Sequence, residues 1–310
     1  MGRALLALLL AAAAGRTEFE LEGRLTPPTH ASVSLHGAVS PFNASTLADS
    51  RGHFRFRKLP AGTYTVIVFV PSQGELRETI EVGPGTADRK GKIAISLALN
   101  ESRLVKDRRA GTVSTRQLKI PDRARREYAE AMKLLGRRDI EGAEDRLERA
   151  VEIAPQFAEA WNHLGTMAYQ TRRFALAEER FRKALEIDAS MYEPLVNLGG
   201  TLLSEYKLDE ALQYNIHAVL MRPSDALANS QLGMTYFAVG KLDLAEKYLI
   251  EAKRLDPAHF SHPQMTLAEI YMRRKQPERA AAELEDFVTR HPDYPAAAKI
   301  KEAVQKLRSR

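Results

Sequence analysis

Two periodicities divide the chain. From about Thr17 to Asn100, apolar residues recur at every second position: Phe19-x-Leu21, Val33-x-Leu35, Phe54-x-Phe56, Ile80-x-Val82 and Ile93-x-Ile95-x-Leu97. Such alternation predicts strands with one face buried and one face in water. The run from Tyr64 to Val70 is apolar on both parities, so a central strand covered on both sides is expected there. Pro27-Pro28, Ser50-Arg51-Gly52, Pro60-Ala61-Gly62 and Gly83-Pro84-Gly85 supply turns between the runs. About seven short strands over ~80 residues predict a small all-β antiparallel sandwich, assigned to residues 15–100.

The second periodicity is long. Ala143, Ala177, Ala211, Ala245 and Ala280 are spaced 34, 34, 34 and 35 residues apart. Ala131, Gly165, Gly199, Gly233 and Ala268 keep the same step, as do Ala150, Ala184, Ala218, Ala252 and Phe287. Pro155, Pro223, Pro257 and Pro292 close four of the units, and Ala189 takes the remaining slot. Small residues let two antiparallel helices approach closely, and a proline ends the second helix because it has no N–H to donate. One helix pair cannot bury its apolar face alone, so stacking into a solenoid is expected over residues 124–294. Ala296 to Leu307 reads as a capping helix within residues 295–310, with Ala298, Ile300, Val304 and Leu307 inward. The expected fold class is therefore multidomain, a small sandwich followed by an all-α solenoid.

Charge changes the picture only locally. The net charge is +6, which invites a nucleic-acid partner. Residues 99–123 alone carry +4, through Lys106, Arg108, Arg109, Arg116, Lys119 and Arg123 among others, whereas residues 124–310 sum to −1. The excess belongs to a basic linker over residues 101–123, and no nucleic acid is expected as a partner. There are no cysteines, which excludes disulfides, thiolate metal sites and cysteine nucleophiles. Arg3 precedes an unbroken Ala/Leu run from Ala4 to Ala14, too short to span a bilayer, with Ala12-x-Ala14 as a cleavage site. Residues 1–14 thus read as a signal peptide, and the mature protein is expected in the periplasm or outside the cell. No later segment is apolar enough to span a membrane.

Two resemblances follow from these residues. The run Asp49-x-x-Gly52-x-Phe54-x-Phe56-x-x-Leu59-Pro60-x-Gly62-x-Tyr64 resembles the carboxypeptidase-regulatory-like β-sandwich, which implies an accessory module rather than an activity. Trp161-x-x-Leu164-Gly165 with Ala177, Phe181 and Ala184 resembles the tetratricopeptide repeat (TPR), and five repeats are expected. Departures are Glu127 and Glu130 where large apolar residues are usual, one inserted residue near Phe260, and Phe287 in place of a small residue.

Candidate chemistry is sparse. Gly85 and Gly91 stand one residue too far apart for a phosphate-cradling loop, and Lys92 is followed by Ile93, so this stretch reads as a turn. His259-x-x-His262 is the one close histidine pair and is read as a loop feature, with no metal and no cofactor expected. Neither a nucleophile elbow nor a paired-carboxylate constellation stands out, so no catalytic residue is assigned. The TPR resemblance implies a concave groove lined by the first helix of each repeat. Its inner face would carry Tyr128, Met132, Asn162, Thr166, Tyr169, Val196, Leu203, Met234, Phe237, Met265 and Met272. Methionine and aromatic side chains with a few amides suit a peptide or protein partner. A non-enzymatic, exported interaction scaffold is the leading reading. The alternative is a protein that binds carbohydrate or an envelope polymer through the sandwich.

Overall fold

The computed structural model describes residues 18–71, 73–100, 104 and 120–309. The leader at residues 1–14 and nearly all of the expected basic linker lie outside the described residues. Seven strands come first: β1 (Phe19–Thr26), β2 (Ser32–Gly37), β3 (Asn43–Leu47), β4 (His53–Leu59), β5 (Gly62–Val70), β6 (Gly74–Val82) and β7 (Lys92–Ala98). They form two sheets, ordered β4-β1-β7 and β3-β2-β5-β6. All pairings are antiparallel except β1 with β7, which run parallel. Leu21, Leu25, Val33, Leu35, Val66, Val68 and Leu97 are fully buried between the sheets. β3 (NASTL) has no apolar alternation and was not foreseen.

The motif residues act locally. Asp49 accepts hydrogen bonds from the backbone N–H of Arg51 (2.8 Å) and His53 (2.9 Å), and Gly52 has φ +78°, where side chains are disfavoured. These backbone donors, His53 first, hold the Asp49 carboxyl below its usual range despite opposing desolvation. Asp88 repeats the arrangement with the N–H groups of Lys90 and Lys92 (both 2.8 Å). The stretch rejected above as a phosphate loop is thus a second copy of the same turn. Tyr64 donates its hydroxyl to the Pro60 carbonyl (2.9 Å), which explains the proline and tyrosine four residues apart.

Among the described residues, eleven helices follow. Five pairs are α1 (Asp122–Gly136) with α2 (Ile140–Ile153), α3 (Ala158–Gln170) with α4 (Phe174–Ile187), α5 (Tyr192–Ser204) with α6 (Leu208–Met221), α7 (Ala226–Ala238) with α8 (Leu242–Leu255), and α9 (Pro263–Arg273) with α10 (Pro277–Arg290). A single helix, α11 (Ala297–Arg308), packs on α10. Ala143, Ala177, Ala211, Ala245 and Ala280 are all fully buried, and a Cβ on Gly165 would sit 2.7 Å from the Phe181 ring. Phe287 is also fully buried, its ring packed against His262, His291 and Tyr294.

One repeating feature escaped the sequence pattern. The turn inside each helix pair places a residue in the left-handed region: Arg138 (φ 62°), Arg172 (62°), Tyr206 (61°), Gly240 (79°) and Lys275 (58°). The following N–H then reaches back to close the first helix, as from Arg173 to Ala168 (2.8 Å) and from Gln276 to Tyr271 (2.8 Å). A residue with a Cβ costs roughly 1–2 kcal/mol in that conformation, and only Gly240 avoids it. Accordingly, Lys275→Gly is expected to raise stability by about 0.5–1 kcal/mol and Gly240→Val to lower it by at least as much. Thermal or urea melts decide this; equal melts for both variants and wild type contradict it.

Candidate functional site

The sandwich is docked on the solenoid at two places, β3 against α1 and strand β6 along the ends of the later helices. β6 is an edge strand whose inward residues Leu76, Ile80 and Val82 enter the sandwich core. Its opposite parity meets successive repeats. Arg77 pairs with Glu193 at the start of α5 (3.1 Å), and Glu75 with Arg222, the residue that ends α6 (3.3 Å). The N–H of Thr79 donates to Asp256, which ends α8 (3.0 Å), and Glu81 bonds His291, which ends α10 (2.9 Å). Beyond the strand, the Gly85 N–H donates to both carboxylate oxygens of Asp293 (2.9 Å each). Gly83 and Gly85 leave the room: a Cβ on either would lie within 2.8 Å of Asp293.

Two connected cavities remain along the solenoid's inner side. An open groove of about 700 Å³ is lined by Thr166, Tyr169, Leu203, Met234 and Phe237, and by Ala38 and Val39 from the sandwich loop that follows β2. An inner chamber of about 640 Å³ lies between that sheet and helices α3 and α5, and Asn162, Thr166 and Val196 line it. Seven of the eleven expected groove residues therefore come together around these spaces. The other four do not. Tyr128 packs on Phe157 and His163 (ring centroids 5.0 and 5.4 Å), and the Met132 sulfur accepts from Asn43 of the sandwich (3.3 Å). Met265 packs in the cluster around Phe287, and Met272 is exposed outside both cavities.

The sequence reading missed every sandwich contribution: His36, Thr65 and Ile67 face the chamber. It also missed His163 and Asn197 on the solenoid side. The single available signal was Tyr64–Val70, whose second apolar parity needs cover. Thr65 and Ile67 find it under the solenoid, while Phe69 stays exposed. Trp161, the most distinctive residue of the repeat motif, serves the scaffold, since its indole N–H holds the Pro155 carbonyl (2.9 Å). Asn229 and Gln264 make the equivalent bond to Pro223 (2.8 Å) and Pro257 (2.7 Å).

Histidines gather at this junction. Burial lowers the pKa of His36, His163 and His262 to about 4 and of His259 to about 3. The His259–His262 pair of the insertion is used in packing: His259 bonds Ser261 (2.6 Å), and the His262 ring stands edge-on to His291 at 4.7 Å. Burial also pushes Asp256 up to about 6, against the hydrogen bonds from Thr79. Among the described residues, no group of three or more His, Asp or Glu is placed to hold a metal ion, and no helix is long and apolar enough to cross a membrane.

Comparisons with known proteins agree with this architecture. Residues 22–96 match the family model of the carboxypeptidase regulatory-like domain, and residues 128–194 and 226–259 match tetratricopeptide-repeat models. The N-terminal sandwich and the TPR array are thus of the two families that the motifs resemble. Among curated proteins, the chain is 30% identical over 138 residues to the type IV pilus assembly protein PilF of Pseudomonas aeruginosa, covering 44% of this chain and 55% of PilF. It is 30% identical over 115 residues to the human cell division cycle protein 16 homolog, covering 34% of this chain and 18% of that one. The chain thus spans from under a fifth to about half of these relatives. In fold it is similar to PilW, a type IV pilus biogenesis factor (21% identity, TM-score 0.51, 60% of this chain and 90% of that one). It is likewise similar to MamA from Desulfovibrio magneticus RS-1 (20% identity, TM-score 0.50, 57% and 99%).

The buried histidines set a direction for acid stability. A histidine held below its free value of about 6.5 binds its proton less readily folded than unfolded. Its stabilisation is complete above pH 6.5 and is lost as the pH falls toward 4. Asp256, raised to about 6, opposes this between pH 6 and its unfolded value, but one group stands against four. The melting temperature is therefore expected to fall from pH 7 to pH 4.5, with a shallower decline in His163→Asn. A flat or rising profile contradicts this account.

Proposed function

We propose that the chain is an exported, non-enzymatic interaction scaffold whose TPR groove holds a peptide segment of a protein partner. The observation that carries this reading is the open groove, whose lining brings together Tyr169, Leu203, Met234 and Phe237, each only partly buried where it packs on the helix clusters. Aromatic and methionine side chains in such a concavity contribute most of the contact energy in peptide recognition. Helix-array relatives named for pilus assembly and pilus biogenesis are consistent with a role in assembly rather than chemistry. Export is supported by Arg3 and the Ala4–Ala14 run.

The polymer-binding alternative through the sandwich needs an exposed aromatic face. Among the described sandwich residues, Phe69 alone is an exposed large aromatic, and the other aromatic rings of the strands are buried. That disfavours it.

The test is affinity capture with full-length protein. Met234→Glu together with Phe237→Glu should abolish retention of the groove's partners, whereas Leu220→Glu, on an exposed position of α6, should leave it intact. If the double variant captures the same proteins in the same amounts, the groove assignment fails. For export, fractionation should place the full chain outside the cytoplasm and a chain lacking residues 1–14 inside it; both forms in the cytoplasm would refute that part.

A further inference from the structure

The inner chamber has two walls from different domains. His36 on β2 and Thr65 and Ile67 on β5 form one, and Asn162, His163 and Asn197 on α3 and α5 form the other. We propose that this chamber is the inner half of the partner site and receives an uncharged, extended stretch of the peptide that enters through the groove. The sandwich then takes part in recognition. This inference rests on the groove reading above and deepens it.

Size and continuity come first. A space of about 640 Å³ falls within the range of sites that enclose a small ligand or a few residues. Thr166, Gln170, Asn197, Leu227 and Phe260 line both groove and chamber, so one occupant can run from one into the other. The link passes the Gln170 side chain, which is fixed by a bond to the Gly37 carbonyl (2.8 Å).

Charge chemistry then narrows the occupant. The charged residues on the lining are already engaged with one another or with the backbone. Arg77 pairs with Glu75 (2.8 Å) and Glu193 (3.1 Å), and Arg254 pairs with Glu251 (2.7 Å). Asp225 accepts from the Ala228 N–H at the start of α7 (2.9 Å), and Asp256 from that of Thr79 (3.0 Å). Arg254 alone keeps a mostly exposed head group; a phosphate or carboxylate beside the buried charges would meet no open counter-charge, and its desolvation would go unrecovered. The imidazoles of His36 and His163 are neutral at pH 7, because burial disfavours their protonation. A neutral imidazole offers one donor and one acceptor, as does a carboxamide in simplest use, and on His36 the Nε2 is already bonded to the Ser34 hydroxyl (3.1 Å). Among the described residues the His163 ring makes no hydrogen bond, and the Asn197 amide reaches Asn162 and Thr166 only at 3.4 and 3.5 Å.

Paired donors and acceptors beside the aliphatic Ile67, Val196 and Leu227 match a peptide backbone with apolar side chains. A neutral sugar fits less well, because it needs a free aromatic face. The two phenylalanines on the lining are engaged: Phe42 stands edge-on to Tyr64 (5.3 Å), and Phe260 lies against His259 (4.3 Å).

The test selects a phage-displayed library of random peptides on the full-length protein at pH 7.5. The selected peptides are then titrated by calorimetry against wild type, Thr65→Val, His163→Leu and Phe237→Glu. Thr65→Val keeps the shape of the wall and removes one hydroxyl, so it serves even if His163→Leu does not fold. The expected result is a loss of about tenfold in affinity for each chamber variant that folds, roughly one hydrogen bond's worth. Peptides lost with Phe237→Glu but bound at wild-type affinity by the chamber variants overturn this inference and leave the groove reading standing. Peptides weakened by Thr65→Val yet indifferent to Phe237→Glu support the chamber and overturn the groove. If no peptide is selected, both fall.

Discussion

With β3 seated on α1, the docking of the sandwich depends on two periods meeting along one further strand. Side chains of a strand return to the same face every second residue, and the solenoid presents an equivalent helix end every 34 or 35. On β6, residues 75, 79 and 81 meet the ends of α6, α8 and α10 in order, and Arg77 meets the start of α5. The edge of the sheet is covered in the process. An exposed edge strand offers unpaired N–H groups to any passing chain, and here the Thr79 N–H is taken by Asp256. A hydrogen bond to a buried carboxylate contributes about 1.5–3 kcal/mol, and losing the donor would leave Asp256 in a dry site without it.

That contact changes what the TPR array can be. A free solenoid would offer the whole inner side of its first helices to a partner. In this chain the sandwich covers part of that side and leaves a groove with an inner chamber behind it. A module of a family whose resemblance implied an accessory role thereby becomes a wall of both cavities. Its Ala38 and Val39 border the groove, and His36, Thr65 and Ile67 face the chamber.

Much of the fold was legible because close packing repeats. Ala177 and its equivalents must be small where two helices touch, so residue type alone exposes the step. The turns inside the pairs hid because the left-handed position is a backbone property. Arg138, Arg172, Tyr206 and Lys275 share a conformation without sharing chemistry, and only Gly240 advertises it. The same holds for the bond to the closing carbonyl, made by Trp161, Asn229 or Gln264. Strand β3 was missed because it lacks a buried alternating face. β7 was read as a strand, but its parallel pairing with β1 depends on distant neighbours.

By itself, the sequence determined the two architectures, the number of repeats and the helix faces that carry Tyr169, Leu203, Met234 and Phe237. These are local consequences of period and side-chain size. Tertiary structure alone decided which of those faces remain open. Tyr128, expected in the groove, is covered by the solenoid's own Phe157 and His163, and Met132 by Asn43 of the sandwich. Docking itself joins residues more than a hundred positions apart, Arg77 with Glu193 and Glu81 with His291. No periodicity within either domain records which charge will meet which, because each such residue also satisfies the pattern as a solvated one.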